Sequence, residues 1–445
     1  MKKISKRILS FVIALLGVVA LTGCVIQEGT KIEFTKLPAG VYTSETGSIN
    51  LSAVEIKVDG TVMNLETAIQ RPDITVSGNT WNGYGNYTLV VLWNNTAISF
   101  NYSVIQDFVE ESYDIDWEGT GTEQDPYQLE NELQLKGLAA VVNGKLEKAG
   151  LDPHCKGVYF KLMNNVELTA GWEPIGAGYR DENLSGHYFA GNFDGGNHVI
   201  SNLTNVGYNP IEAAGTYASS SGEKINYGYV FGLFGMIFGS TIENVRIDNV
   251  YTEDITLVID NKVTKFTLDS VGAIAGYICQ PREGGESTGY AANNITTYIK
   301  NCHVLSGEIN GYDATAGIVG RSYYSASFVN CSNAANISCD RLASGKCGGI
   351  TSIAGSTTKI KDENGENLLA SHEIYNCSNS GNISSQTTLV GGIVGLINCE
   401  GTFKESGNTN TGKLFAINNQ IDSKYLGKYQ DTGERYFEDT SKWLK

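Results

Sequence analysis

The groups that could do chemistry in this 445-residue chain are five histidines, a set of cysteines and a surplus of carboxylates. The histidines are His154, His187, His198, His303 and His372. A zinc peptidase of the His-Glu-x-x-His type needs two imidazoles one helical turn apart. The one His-Glu pair is His372-Glu373, and Asn376 stands where the second imidazole belongs. This is no zinc site, and the pair is expected in a surface loop ahead of a repeated phrase. Beyond Cys24 the cysteines are Cys155, Cys279, Cys302, Cys331, Cys339, Cys347, Cys377 and Cys399. They form no Cys-x-x-Cys pair and have no histidine at ligand spacing, so zinc is not expected here either. Cys302, Cys331 and Cys377 fill one slot of a repeat, and Val245 fills the same slot earlier. A slot that accepts Val is apolar and interior, which predicts a column of buried thiols. Disulfides between neighbouring repeats are the alternative. No nucleophile elbow, P-loop or EF-hand loop occurs, and no dinucleotide fingerprint sits in a strand–helix context.

Polysaccharide cleavage would use paired carboxylates with a Lys or Arg in a groove. Acids are plentiful, Glu253-Asp254 for example, but nothing in the linear sequence gathers them. Asp194-Gly195-Gly196 reads as a corner of the chain rather than a calcium nonapeptide, because it does not recur. No cofactor is predicted; a calcium requirement is left open. Tyrosine is more suggestive, since it joins a flat apolar face to a hydroxyl and suits glycan or protein recognition. Tyr208, Tyr217, Tyr227, Tyr229, Tyr290, Tyr298, Tyr312, Tyr323 and Tyr324 are expected in or beside loops. Of these, Tyr208, Tyr217, Tyr290, Tyr312, Tyr323 and Tyr324 are the binding candidates. The competing role is to shield edges and stack on one another.

The elements that must carry these groups differ along the chain. Lys2, Lys3, Lys6 and Arg7 precede an apolar run from Ile8 to Leu21, too short for a comfortable membrane span. The run ends in Leu21-Thr22-Gly23-Cys24, which resembles the bacterial lipobox. The resemblance implies cleavage after residue 23 and lipid attachment at Cys24. Several acyl chains anchor a protein stably to a membrane. The whole chain carries 32 basic and 48 acidic residues, a balance of −16; without the four basic residues of the leader it is 28 − 48 = −20. So negative a surface repels nucleic acid, and no nucleic-acid partner is expected.

Residues 24–30 read as an anchor and linker, and 31–105 as short alternating strands. Val54 to Val58 alternates and leads into Asp59-Gly60, while Tyr87–Trp93, Asn94-Asn95 and Thr96–Val104 read as a hairpin. This segment resembles bacterial immunoglobulin-like domains, which implies a small β-sandwich. Residues 106–118 form an acidic linker. Asn131 with Gln134 predicts a helix start, and the stripe Leu135, Leu138, Val142, Leu146 extends the helix to about 131–149. One such helix before hundreds of strand-like residues suits the cap of a solenoid.

Beyond Gly150 phrases recur. Phe231–Gly235, Gly272–Gly276, Ala316–Gly320 and Gly391–Gly395 are Gly-rich and each closes on Gly, and Ile374–Ser384 nearly copies the unit 46 positions before it. Asn301 to Asn330 is 29 positions, too short a period for the blades of a β-propeller. Like residues would then stack about 4.8 Å apart, with Asn301, Asn330 and Asn376 bonding along the stack. The fold class expected is all-β: a small sandwich followed by a parallel β-helix over 119–416, with 417–445 as a cap or tail. The phrases, together with Tyr188–Leu203 and the Gly171–Gly176 stretch before it, resemble GLUG-repeat proteins of bacterial surfaces. That resemblance implies a right-handed β-helix on the outside of a cell and does not imply an activity. The expected role is a lipid-anchored, non-enzymatic envelope protein displaying loops for adhesion to a glycan, cell-wall or protein partner. A β-helical polysaccharide lyase or glycoside hydrolase is the rival, and an accessory part of a peptidase-type surface protein is a weaker third.

Overall fold

The computed structural model describes residues 32–38, 42–106, 112–169, 171–178, 187–211, 215–218, 224–259, 262–279, 295–342, 344–355, 360–361, 367–399, 401–430 and 434–445. Cys24, its leader and Tyr290 lie outside the described residues. Two compact units are present.

Among the described residues, the first unit comprises residues 32–38, Ile49–Asn79 and Leu89–Phe100. Its strands are antiparallel. Val54, Ile56 and Val58 point inward and are buried, while Glu55 and Lys57 face out. Asp59 (φ 49°) and Gly60 (φ 83°) are both left-handed, as a type I′ turn demands, and join Glu55–Val58 to Thr61–Asn64. The Asn64 side chain accepts from the Thr67 N–H at 2.8 Å and starts a one-turn helix. Asn94 (φ 51°) turns the strand Gly85–Trp93 back into its neighbour Thr96–Val104.

The second unit holds the remainder, including Asn101–Lys445, and its strands pair in parallel from coil to coil. One turn runs through five short sheets, here A to E. It passes Thr297–Lys300 (A), His303–Val304 (B), Gly307–Gly311 (C), Ala314–Ala316 (D) and Val319–Ser322 (E), and Ala326–Val329 then rejoins sheet A. Each strand lies in register on its counterpart one coil on, so Ile299 meets Phe328 and Ile309 meets Ile337. These are the parallel coils of a β-helix. The turn length varies because insertions leave the rungs intact. Tyr298 pairs with Ser327, 29 residues on, whereas Thr241 pairs with Tyr298 across 57.

The interior consists of columns. Phe160, Phe193, Ile242, Ile299, Phe328 and Ile374 form one on sheet A, each at most 1% exposed. Another holds Leu233, Ile274, Ile318, Ile350 and Ile393, the centres of the Gly-rich phrases, all fully buried. The structure adds a phrase at Gly348–Ser352, where Ser replaces the closing Gly. Cys302, Cys331 and Cys377 do stack as buried free thiols, with the Cys331 N–H donating to Cys377 Sγ at 3.4 Å.

Asn244, Asn301, Asn330 and Asn376 occupy one corner, all with φ of 53–55°. Asn tolerates this left-handed backbone better than most residues, so the slot is chosen for conformation as much as for the amide. Amide bonds in this column run from Asn301 to Asn244 (3.0 Å) and from Asn244 to Asp194 (2.9 Å). A fuller ladder sits in the core. Asn333 donates to Asn379 at 2.8 Å and Asn379 to Asn410 at 2.7 Å, below Ile200, Ile247 and Val304 in the same column.

Several expectations are corrected. The helix spans Glu132–Val142 instead of reaching 149. It opens as expected, with Asn131 Oδ1 accepting from the Gln134 N–H and Gln134 Oε1 from the Glu130 N–H. It stops because Asn143 leaves the helix to serve Gly176, Ala177 and Pro174, with Gly144 left-handed behind it. Parallel stacking continues past Ala416, through Gly427–Tyr429 and Trp443–Leu444. His372 is not in a surface loop; it is fully buried as the first residue of its strand.

Candidate functional site

The outer face of sheet A gathers polar and aromatic side chains into two columns. Strand alternation sends every second residue outward while Phe160, Phe193, Ile242 and Ile299 fill the core. The first column is Tyr159, Asn192, Thr241, Tyr298, Ser327 and Glu373. The second is Lys161, Asp194, Glu243, Lys300, Val329 and Tyr375. A groove of about 490 Å³ lies over the upper rungs, lined by Glu123, Tyr159, Lys161, Asn192, Asp194, Thr241, Glu243 and Lys300 among others.

Several of the charged groups there have defined partners. Lys161 Nζ lies 3.7 Å from Asp194 Oδ2. Asp194 Oδ1 accepts from the Gly196 N–H (2.8 Å) and from Asn244 (2.9 Å), so this carboxylate pins the corner that Gly195-Gly196 makes. The corner reading of that phrase holds in the geometry. Tyr298 is 40% exposed, and Lys300 Nζ sits 4.9 Å from its ring centroid. Two ammonium groups and three carboxylates thus share the groove with a tyrosine and with amide and hydroxyl groups. That set can donate to and accept from a ligand and present a flat ring to it. Asp194 Oδ1 is thus fixed by two donors, while Oδ2, with Lys161 beside it, remains able to accept from a ligand hydroxyl.

The tyrosines proposed from sequence do not converge. Tyr208 (6% exposed) packs against Tyr229, and Tyr324 (8%) stands edge-on to Phe238. Both are core residues and offer no ring face to a partner. Tyr229 is fully buried in a strand and accepts from Asn205 at 2.6 Å. Tyr312 lies under the Arg341 guanidinium, and Tyr323 stands edge-on to Tyr277 and accepts from Arg321. The side chain of Tyr217 falls outside the described residues, like Tyr290. Tyr298, expected beside a loop, lies within a strand of sheet A and is the one named tyrosine that reaches the groove's columns. Tyr159, Lys161, Glu243 and Lys300 were not singled out from sequence. The signal was present: in each phrase the residue just before the corner Asn (Glu243, Lys300, Val329, Tyr375) falls in one outward column.

A second charged cluster is structural. Arg321, 1% exposed, pairs with Asp269 at 3.3 Å and with Asp313. Asp269 occupies a bulge, the extra residue where Tyr229–Val230 faces Leu268–Ser270, and the bulge re-aims its side chain. Burial pushes the Asp313 carboxyl up, but Arg321, Lys346 and Arg341 outweigh it and hold it below the usual carboxylate range. Glu253 accepts from the Tyr251 hydroxyl, and Asp254 pairs with Lys265 at 2.7 Å, so that acidic pair is likewise occupied. Among the described residues no group of three or more His, Cys, Asp or Glu is placed to hold a metal ion.

No protein-family model, no curated protein and no solved structure matches this chain.

Proposed function

We propose that the chain is a lipid-anchored, non-enzymatic protein of the bacterial cell surface whose β-helix displays a ligand-recognition face. The anchor rests on Cys24 in its lipobox-like setting, and the spacer role on the immunoglobulin-like texture of residues 31–105. The GLUG-like phrases support the same location. One observation carries the recognition role: a column of polar groups bounded by Tyr159 and the exposed Tyr298 runs beside a charged column along sheet A, and the residues from Tyr159 to Thr241 with Lys161, Asp194, Glu243 and Lys300 line a groove. Binding of a glycan, cell-wall or protein partner there needs no lid and no cofactor, and rigid coils keep the ordering cost of the face low. This moves the proposed recognition from the loop tyrosines to the sheet.

The test is a glycan and matrix-protein array probed with the soluble form beginning at Val25, with reducing-sugar release assayed in parallel. Saturable binding without sugar release is the expected result. For the anchor, Cys24→Ala shifts the protein from the membrane fraction to the soluble fraction.

The carboxylates and lysines that share this groove favour one second reading, cleavage of a polysaccharide. Sugar release that disappears in Glu243→Gln would establish it in place of the first.

A further inference from the structure

We infer that the groove on sheet A takes a neutral, hydroxyl-rich glycan laid along the axis of the β-helix, with about one sugar ring per coil. The inference rests on the recognition role proposed above and adds the class and direction of the ligand.

Charge excludes the extremes. Down the second column the order is Lys161, Asp194, Glu243, Lys300, with acids in the middle and amines at both ends. An acidic glycan spanning these rungs meets two carboxylates at its centre. A cationic one meets an ammonium at each end. A neutral polyol uses both kinds of group, since its hydroxyls donate to carboxylates and accept from ammonium groups.

Geometry gives the direction. Along a strand, sheet A offers only two outward residues before the chain turns at the corner asparagines, as Tyr298 and Lys300 do before Asn301 (φ 54°). Across the strands, equivalent outward positions repeat every 4.8 Å or so, close to the length of one ring in an extended glycan. Tyr159 and Tyr298 share a column three rungs apart, with Asn192 and Thr241 between them; the first three residues of that order line the groove and the exposed Tyr298 continues the column one rung beyond. Ring face, amide, hydroxyl, ring face is a four-place site: the outer sugars stack on tyrosine and the inner two hydrogen-bond.

The test is an array of immobilised neutral oligosaccharides of two to six residues (gluco-, manno-, galacto-, xylo- and N-acetylhexosamine series) beside uronate and sulfated chains, probed with the form beginning at Val25. At least one neutral series should bind, with affinity climbing to the tetrasaccharide and then levelling. Binding should change little between about 0.05 and 0.5 M NaCl, because no net charge is being screened. Tyr298→Ala should weaken it by about tenfold or more, and Tyr298→Phe, which keeps the ring face, should recover most of that loss. Tyr251→Ala removes an exposed tyrosine on sheet C and should leave binding unchanged. Melting curves check that each variant is folded. The inference is overturned if no neutral series binds, if uronate or sulfated chains are preferred and their binding falls with salt, or if Tyr251→Ala and Tyr298→Ala act alike. A matrix protein captured equally by Tyr298→Ala and the parent overturns this inference and leaves the surface-display role standing. Release of reducing ends overturns the non-enzymatic role instead.

Discussion

His372 sits at the start of its strand with no exposed surface, and its Nε2 lies 2.8 Å from the Ser322 carbonyl oxygen and 3.0 Å from its hydroxyl. Burial pushes its pKa from 6.5 down to about 4. The folded protein therefore holds this proton less tightly than the unfolded chain does. Stability from this group is complete above about pH 6.5 and falls as pH drops from there toward 4, by roughly 3 kcal/mol in all. Urea unfolding between pH 4 and 7 should show that slope, and His372→Gln should flatten it; an unchanged slope would assign it to another group. The thiols make a second residue-scale case. All eight described cysteines are buried and free, and burial pushes those of Cys155 and Cys279 up to about 12. Since every one of the eight is buried out of a reagent's reach, a thiol-specific reagent should label none of them rapidly in the native form beginning at Val25. All eight should react after denaturation. Fast native labelling would mean that the columns open.

At the scale of the element, the Gly-rich phrases and the buried Asn ladder depend on each other. A Cβ on Gly317 would meet Asn333, one on Gly349 would meet Asn379, and one on Gly392 would meet Asn410. Ala273 fills the same phrase position one coil earlier, where Val304 occupies the place that Asn333 takes in the next coil. Gly349→Ala, whose Cβ would also clash with the Gly392 carbonyl oxygen, should destabilise by about 2–4 kcal/mol. Asn379→Ala breaks three side-chain hydrogen bonds in the core, to Asn333, Asn410 and the Gly381 carbonyl oxygen, and should cost a similar amount, about 2–4 kcal/mol. Chemical denaturation midpoints check both; a loss below about 1 kcal/mol for either would mean that the core relaxes around it. The near-copies made the parallel columns legible in sequence, because identical phrases stack best on one another. The Asn333 ladder was harder to read, since its column is aliphatic in earlier coils and polar only later. His372 was misread because it fills the slot that Ala326 holds one coil before, after an insertion that hides the register. The groove was missed for a related reason. Its residues belong to four different coils, and only the strand pairing shows that Tyr159 and Tyr298 share a column.

Across the whole β-helix each rung touches only the rungs beside it, so stability is a sum of local terms and opening begins where a neighbour is missing. The C-terminal end shows how such an edge is closed. The sheet A core column turns polar at Glu405, which accepts from the Glu438 N–H at 2.9 Å and the Trp443 indole N–H at 3.3 Å. Trp443, 5% exposed, stacks on Phe437 with centroids 4.9 Å apart and stands edge-on to Phe403. Removing this indole takes away the plug and a partner of a buried carboxylate, a loss of about 3–5 kcal/mol. Because coupling is nearest-neighbour, the loss should stay local. In Trp443→Ala, hydrogen exchange should accelerate strongly for the strands Phe403–Ser406, Leu414–Ala416 and Gly427–Tyr429, and little for Thr241–Glu243 or Arg246–Asp248. Ligand binding at Tyr298 should survive, since four rungs separate it from Tyr436 in the last coil. Uniform acceleration along the chain would show instead that the coils melt as one cooperative body, and a recognition face near one end would then be no safer than the end itself.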